Sequence, residues 1–152
     1  MERQKIRLTR EFSFEAAHAL DGYDGLCRNV HGHSYKLFVT VRGVPCGDET
    51  NPKLGMVVDF SDIKRIVKQH IVDRLDHSLV LADNRDNRQF REQNINKWQR
   101  IEIVPYQPTC ENMLTEFAHI LRQELPKCVE LVALKLYETE KSYAEWLAQD
   151  NC

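Results

Sequence analysis

No run of basic residues marks this 152-residue chain, whose 21 Lys and Arg against 23 Asp and Glu leave a formal charge of −2. The electrostatic footprint of a nucleic-acid binder is therefore missing. No apolar stretch approaches the roughly 20 residues that cross a bilayer. Behind Met1-Glu2-Arg3-Gln4-Lys5 there is no apolar core of a secretion signal. The cysteines, Cys27, Cys46, Cys110, Cys128 and Cys152, are odd in number and far apart, which excludes a disulfide framework. They read as reduced thiols of a cytoplasmic protein. Internal repeats, low-complexity linkers and a glycine-rich phosphate loop are also lacking. What remains, 42% hydrophobic and 29% charged residues, is the composition of one folded domain over residues 1–152 with a sizeable core.

Alternation of apolar and polar residues predicts a strand over 8–17, with Leu8, Phe12, Phe14 and Ala16 on one side and His18 in the same parity. A second strand covers 33–43, where Tyr35, Leu37, Val39 and Val41 alternate with Lys36, Phe38, Thr40 and Arg42. The short apolar stretch 55–60 reads as a third, hairpin-paired with the second. Ser61 is a plausible cap for a helix whose apolar positions are Ile63, Ile66, Val67, Ile71, Val72 and Leu75. Residues 83–100 are polar and read as an exposed loop or short helix. A short strand over 101–104 follows. Thr109 can cap a second helix with Met113, Leu114, Phe117, Ala118, Leu121 and Leu125 inward, stopped by Pro126. A last strand covers 131–139. The order predicts an α+β fold: a four-stranded antiparallel sheet with two helices on one face. Its other face still carries Leu, Val and Phe and its edges are open, so several copies closing into a barrel would resolve both.

The chemistry concentrates in Cys27-Arg28-Asn29-Val30-His31-Gly32-His33, with His18 upstream. His31 and His33 are two apart, so on a strand both rings share a face. If the first two strands pair antiparallel, His18 meets them. Three neutral imidazoles with one open position describe a catalytic zinc site; with Cys27 as a fourth ligand the site would be closed and structural. As thiolate, Cys27 is otherwise a base or nucleophile, and a small buried residue if neither. Asp76 beside His77 can orient an imidazole in a proton relay, or His77 is simply a cation at a helix C-terminus. Glu138 continues the apolar face of Leu134 and Leu136, either into water at the sheet edge or into a pocket. There its two oxygens suit the parallel N–H donors of a 2-amino-pyrimidinone. Glu111 has a bland reading too, as an acid at a helix start.

Taken together, Phe12-Ser13-Phe14-Glu15-Ala16-Ala17-His18, Cys27 to Tyr35, Gly55-Met56-Val57-Val58-Asp59-Phe60, Leu75-Asp76-His77, Pro108-Thr109-Cys110-Glu111-Asn112 and Tyr137-Glu138-Thr139 resemble the 6-pyruvoyl-tetrahydropterin synthase superfamily. The resemblance implies a tunnelling fold (T-fold) whose protomers form a trimeric barrel, two of which stack as a homohexamer. It implies Zn2+ on His18, His31 and His33, a catalytic thiol at Cys27 with Asp76 and His77 as relay, and substrate binding by Glu138, Thr109 and Glu111, the last at a subunit interface. The short gap between Cys27 and His31 looks like the bacterial 6-carboxy-5,6,7,8-tetrahydropterin synthases of the queuosine pathway. These convert 7,8-dihydroneopterin triphosphate to the carboxypterin, acetaldehyde and triphosphate. The eukaryotic-type pyruvoyl enzymes stop before carbon–carbon cleavage. Residues 83–100 look inserted relative to the compact bacterial pattern, and the tail 140–146 departs from its usual ending.

Overall fold

The computed structural model describes residues 3–152. Strands β1 (Ile6–His18) and β2 (His31–Gly43) pair antiparallel along their whole length, from Ile6 opposite Gly43 to His18 opposite His31. This register sets Phe12, Phe14 and Ala16 beside Leu37, Tyr35 and His33 on one buried face. The first helix, α1, runs through Phe60–Val67, a π-turn at Lys68–Val72 and a last turn at Asp73–Leu75. The wider π-turn rotates the residues after it, so that Val72 and Leu75 return to the face of Ile63, Ile66 and Ile71. Strand β3 (Ser78–Ala82), helix α2 (Arg85–Asn94), strand β4 (Ile101–Val104) and helix α3 (Cys110–Glu124) follow, then β5 (Val129–Thr139) and β6 (Ser142–Leu147).

The sheet order is β4-β3-β1-β2-β5-β6. It is six-stranded and mixed, not four-stranded and antiparallel, because β3 pairs parallel to β1 and β4 parallel to β3. Helices α1 and α3 cover one face, closing a core that includes Leu37, Ile63, Phe117, Leu134 and Leu136. Each such side chain contributes about 1.5–3 kcal/mol on leaving water. Helix α2 lies on the other face at the β3–β4 edge, where Phe90 packs with Ala19, Leu79, Leu81, Ile101 and Ile103. The remainder of that outer face is mixed: Thr9 and Thr40 share a 2.8 Å hydroxyl bond and Glu11, Ser13 and Lys36 are in water, while Phe38, Tyr137 and Tyr143 form an aromatic row. The expectation of a second apolar face is thus corrected: the Leu and Val residues of β1 and β2 all fall on the helix-covered side, leaving Phe38 as the large apolar side chain of β2 outside.

Residues 55–60 form no strand. The place beside β2 is taken by β5, paired from Lys36 opposite Tyr137 to Gly43 opposite Val129. Gly55 turns with φ 81°, and its N–H and the Met56 carbonyl are bonded to Cys46. The helix begins earlier than expected, with Asp59 and not Ser61 as cap; the Asp59 carboxylate accepts the Ser61 N–H. Thr109 does cap α3, accepting the Asn112 N–H at 3.2 Å. Among the described residues no helix is long and apolar enough to cross a membrane.

Candidate metal centre and active site

His18, His31 and His33 meet on the buried face at one end of the β1–β2 hairpin, their ligand atoms all within 4.8 Å of one another. The pairing of His18 with His31 and of Ala16 with His33 brings them there. The His18 Nδ1 lies 2.7 Å from the Pro108 carbonyl, and the His31 Nδ1 lies 2.7 Å from the Asn29 carbonyl. A carbonyl only accepts, so each Nδ1 carries its ring's proton and each neutral ring presents a bare Nε2 lone pair. These two Nε2 atoms face each other at 3.0 Å. A hydrogen bond between them would need an added proton. Burial opposes that, pushing the His18 and His33 imidazoles below their ordinary value; the Glu138 carboxylate opposes the shift less strongly. The His33 Nε2 is itself buried with no hydrogen-bond partner. Facing lone pairs and an orphaned nitrogen are what a bound cation satisfies, and the triad can hold a metal ion.

Glu138, on the same face of β5 as Leu134 and Leu136, sets one carboxylate oxygen 3.5 Å from the Nε2 of both His18 and His33. Cys27 lies half-buried in a single 3₁₀ turn, Leu26–Arg28, its carbonyl accepting the Leu20 N–H at 3.0 Å. Thr109 spends its hydroxyl on the helix cap, and Glu111 is exposed in the first turn of α3.

Asp76 and His77 lie elsewhere. They turn the chain from α1 into β3, beside β1. One Asp76 oxygen accepts the Glu15 N–H at 2.9 Å, and the other lies 3.1 Å from the His77 Nδ1. The Glu15 N–H holds the Asp76 carboxyl below the usual carboxylate range, with His77 and Arg100 adding to it. His77 has φ 59°, a left-handed backbone that costs a residue with a Cβ roughly 1–2 kcal/mol. Its side chain is 74% exposed. It lines a cavity of about 560 Å³ with Glu15, Ala17, Gly32 and Ser34 of the outer face, with Arg100, and with Ala16 and the triad residue His33. His77 is not in the cluster of converging ligand atoms, although His33 of that cluster borders the same cavity. Nor were the orienting Pro108 and Asn29 carbonyls foreseeable, because backbone oxygens carry no residue-type signal.

The sequence pattern of 6-pyruvoyl tetrahydropterin synthase matches residues 7–149. The chain belongs to this family. It is 33% identical over 142 residues to the 6-carboxy-5,6,7,8-tetrahydropterin synthase of Haemophilus influenzae, covering 93% of this chain and 98% of that protein. The protein of the same name from Rickettsia felis is 34% identical over 146 residues, covering 92% and 99%. Among solved structures, the Caenorhabditis elegans 6-pyruvoyl tetrahydropterin synthase superposes with a TM-score of 0.67 over 97% of this chain and 99% of its own, at 24% identity. That likeness shows the α+β fold of the family.

Proposed function

We propose that this chain is a zinc-dependent lyase that converts 7,8-dihydroneopterin triphosphate to 6-carboxy-5,6,7,8-tetrahydropterin, acetaldehyde and triphosphate, in the cytoplasm and as a homohexamer. The observation that carries the reading is the triad of His18, His31 and His33 with its lone pairs converging beside Glu138. The names of the two relatives and the short spacing from Cys27 to His31 support the carboxypterin product.

Zinc, when bound there, supplies Lewis acidity to the hydroxyls of the substrate side chain. Cys27 removes a side-chain proton. The Asp76 carboxylate fixes the His77 Nδ1, leaving Nε2 as the atom that receives and returns protons. His77 is exposed and outside the triad cluster, so in this reading a neighbouring copy presents it, and Glu111 likewise reaches a neighbour's site. This is the physical ground for the oligomer, which replaces the apolar outer face as its reason. We expect sedimentation at micromolar concentration to give a multiple of the monomer mass; a monomer retaining full turnover would contradict the shared site.

Glu138 is assigned to the ring, accepting the parallel N–H and amine donors of the pterin. Its oxygen 3.5 Å from two metal-ligand nitrogens favours one other reading, a fourth donor closing the site. Glu138→Gln separates the two. As ring anchor, the variant should keep its zinc and bind substrate more weakly by about 2 kcal/mol, since the amide turns one donor against the ring's own N–H. As ligand, it should lose zinc.

Incubation of the purified protein with 7,8-dihydroneopterin triphosphate, with products identified by mass, tests the whole reading. Carboxypterin with acetaldehyde is expected. A pyruvoyl product would move the chain to the other branch of its family, and binding with no triphosphate release would make it a pterin-binding protein.

A further inference from the structure

We infer that Arg100 is a positioning residue for the Asp76–His77 pair, locking the corner that presents the His77 ring. The inference rests on the relay reading above. Helix α1 ends at Leu75, and the chain turns through Asp76 (ψ 126°) into the left-handed His77 without a glycine. In a regular helix the His77 N–H would reach back to the Asp73 carbonyl. Here it is drawn away to the Glu15 carbonyl at 2.6 Å, which leaves the helix end open.

One guanidinium closes it. Arg100 donates through Nη2 to the Asp73 carbonyl and to the Arg74 carbonyl at 3.2 Å, and through Nε to the Asp76 carbonyl at 2.8 Å. The two nitrogens are one edge of a rigid planar fork, so the helix end and the peptide entering His77 are held at a fixed spacing. A full positive charge also sits against the negative end of the helix. The anchor itself is fixed: the Arg100 carbonyl accepts the Leu79 N–H at 2.8 Å, immediately before β4 joins β3. Arg100 thus links the end of α1 and strand β3 to the strained His77, which lines the same cavity as Arg100. It is also the last residue of 83–100, which gives the stretch that looks inserted a task at the site.

The test compares Arg100→Ala, Arg100→Lys and His77→Ala with the wild type in the zinc-loaded full-length oligomer, with 7,8-dihydroneopterin triphosphate as substrate. Arg100→Ala should lower kcat roughly 10–100-fold, as expected for a misplaced group. KM should stay within about twofold and zinc content should not change, since the Arg100 guanidinium bonds the Asp73, Arg74 and Asp76 carbonyls and neither a triad histidine nor Glu138. Amide hydrogen exchange should quicken by on the order of tenfold at Glu15 and His77, whose N–H bonds depend on the corner, and not in β2. Arg100→Lys, which offers one nitrogen in place of a fork, should fall between, and it carries the test if the alanine variant does not fold. Wild-type kcat or unchanged exchange in Arg100→Ala, alongside an inactive His77→Ala, would overturn the positioning role alone. Full activity in His77→Ala would overturn the relay and this inference with it.

Discussion

Replacing His31 with alanine is expected to remove the bound zinc and all measurable turnover while the chain remains folded. Loss of even an outer partner of a metal ligand typically costs 10–100-fold in affinity, so removing one of three ligands should cost more than about 100-fold. His31 is the best of the three to remove. His18 is 2% exposed, and its loss would leave a hole in the core and strand the Pro108 carbonyl. His31 is only partly buried, and its Nδ1 partner is the Asn29 carbonyl in the adjoining loop. The β1–β2 pairing that surrounds it is made by backbone bonds along the full hairpin and does not need the ring. Metal analysis after dialysis and circular dichroism give the two readouts; stoichiometric zinc in the variant would rule the site out. Acid should act in the same direction. Protons compete with the metal for Nε2, so zinc should be released in acid, at a pH below the ordinary imidazole value because burial already disfavours protonation of His18 and His33. In the metal-free protein, burial holds His18 and His33 below their unfolded value. The unfolded chain then binds protons that the folded one refuses, and stability should drop as pH falls through that window and be level above it. Urea unfolding with chelator at pH 7.5 and 5.5 measures this.

The triad was legible because it depends on two local facts, period-2 parity and a hairpin register fixed by Phe12, Phe14, Leu37 and Val39 seeking one face. The same patterning located both long helices and the Thr109 cap. It misplaced 55–60, because Val57 is buried in a turn and an apolar residue reports burial, not pairing. It passed over β3 and β6, since which strand lies next to Ser78–Ala82 or Ser142–Leu147 is decided by distant residues. The side of the sheet on which His77 stands follows from a left-handed φ at a residue that is not glycine, and nothing in Leu75-Asp76-His77 signals it. Adjacency of Asp76 and His77 did not forecast their 3.1 Å contact either, because neighbouring residues in an irregular segment often point apart.

Cys27→Ala should lower turnover by roughly 100-fold or more, as expected for removal of a positioned base, while zinc content and pterin binding hold. The alternative, a closed site with the thiol as fourth ligand, makes the opposite forecast: metal and activity would leave together. The geometry favours the first outcome. Cys27 belongs to a one-turn 3₁₀ segment in the loop between β1 and β2, whereas the three histidine nitrogens converge on the strands themselves, and two of them, those of His18 and His33, have the Glu138 carboxylate at 3.5 Å. A ligand from this loop is not needed to bring those nitrogens together, and an unligated thiol leaves room for the substrate hydroxyls. The substitution is also mild. Cys27 is half-buried and its carbonyl, which alanine keeps, closes the loop by accepting the Leu20 N–H, so the cost in stability should be about 1 kcal/mol or less. Equal zinc per chain, an unchanged dissociation constant for the pterin and a collapse of kcat would together assign Cys27 to proton transfer. Loss of zinc would make it a ligand, and wild-type kcat would remove it from the reaction.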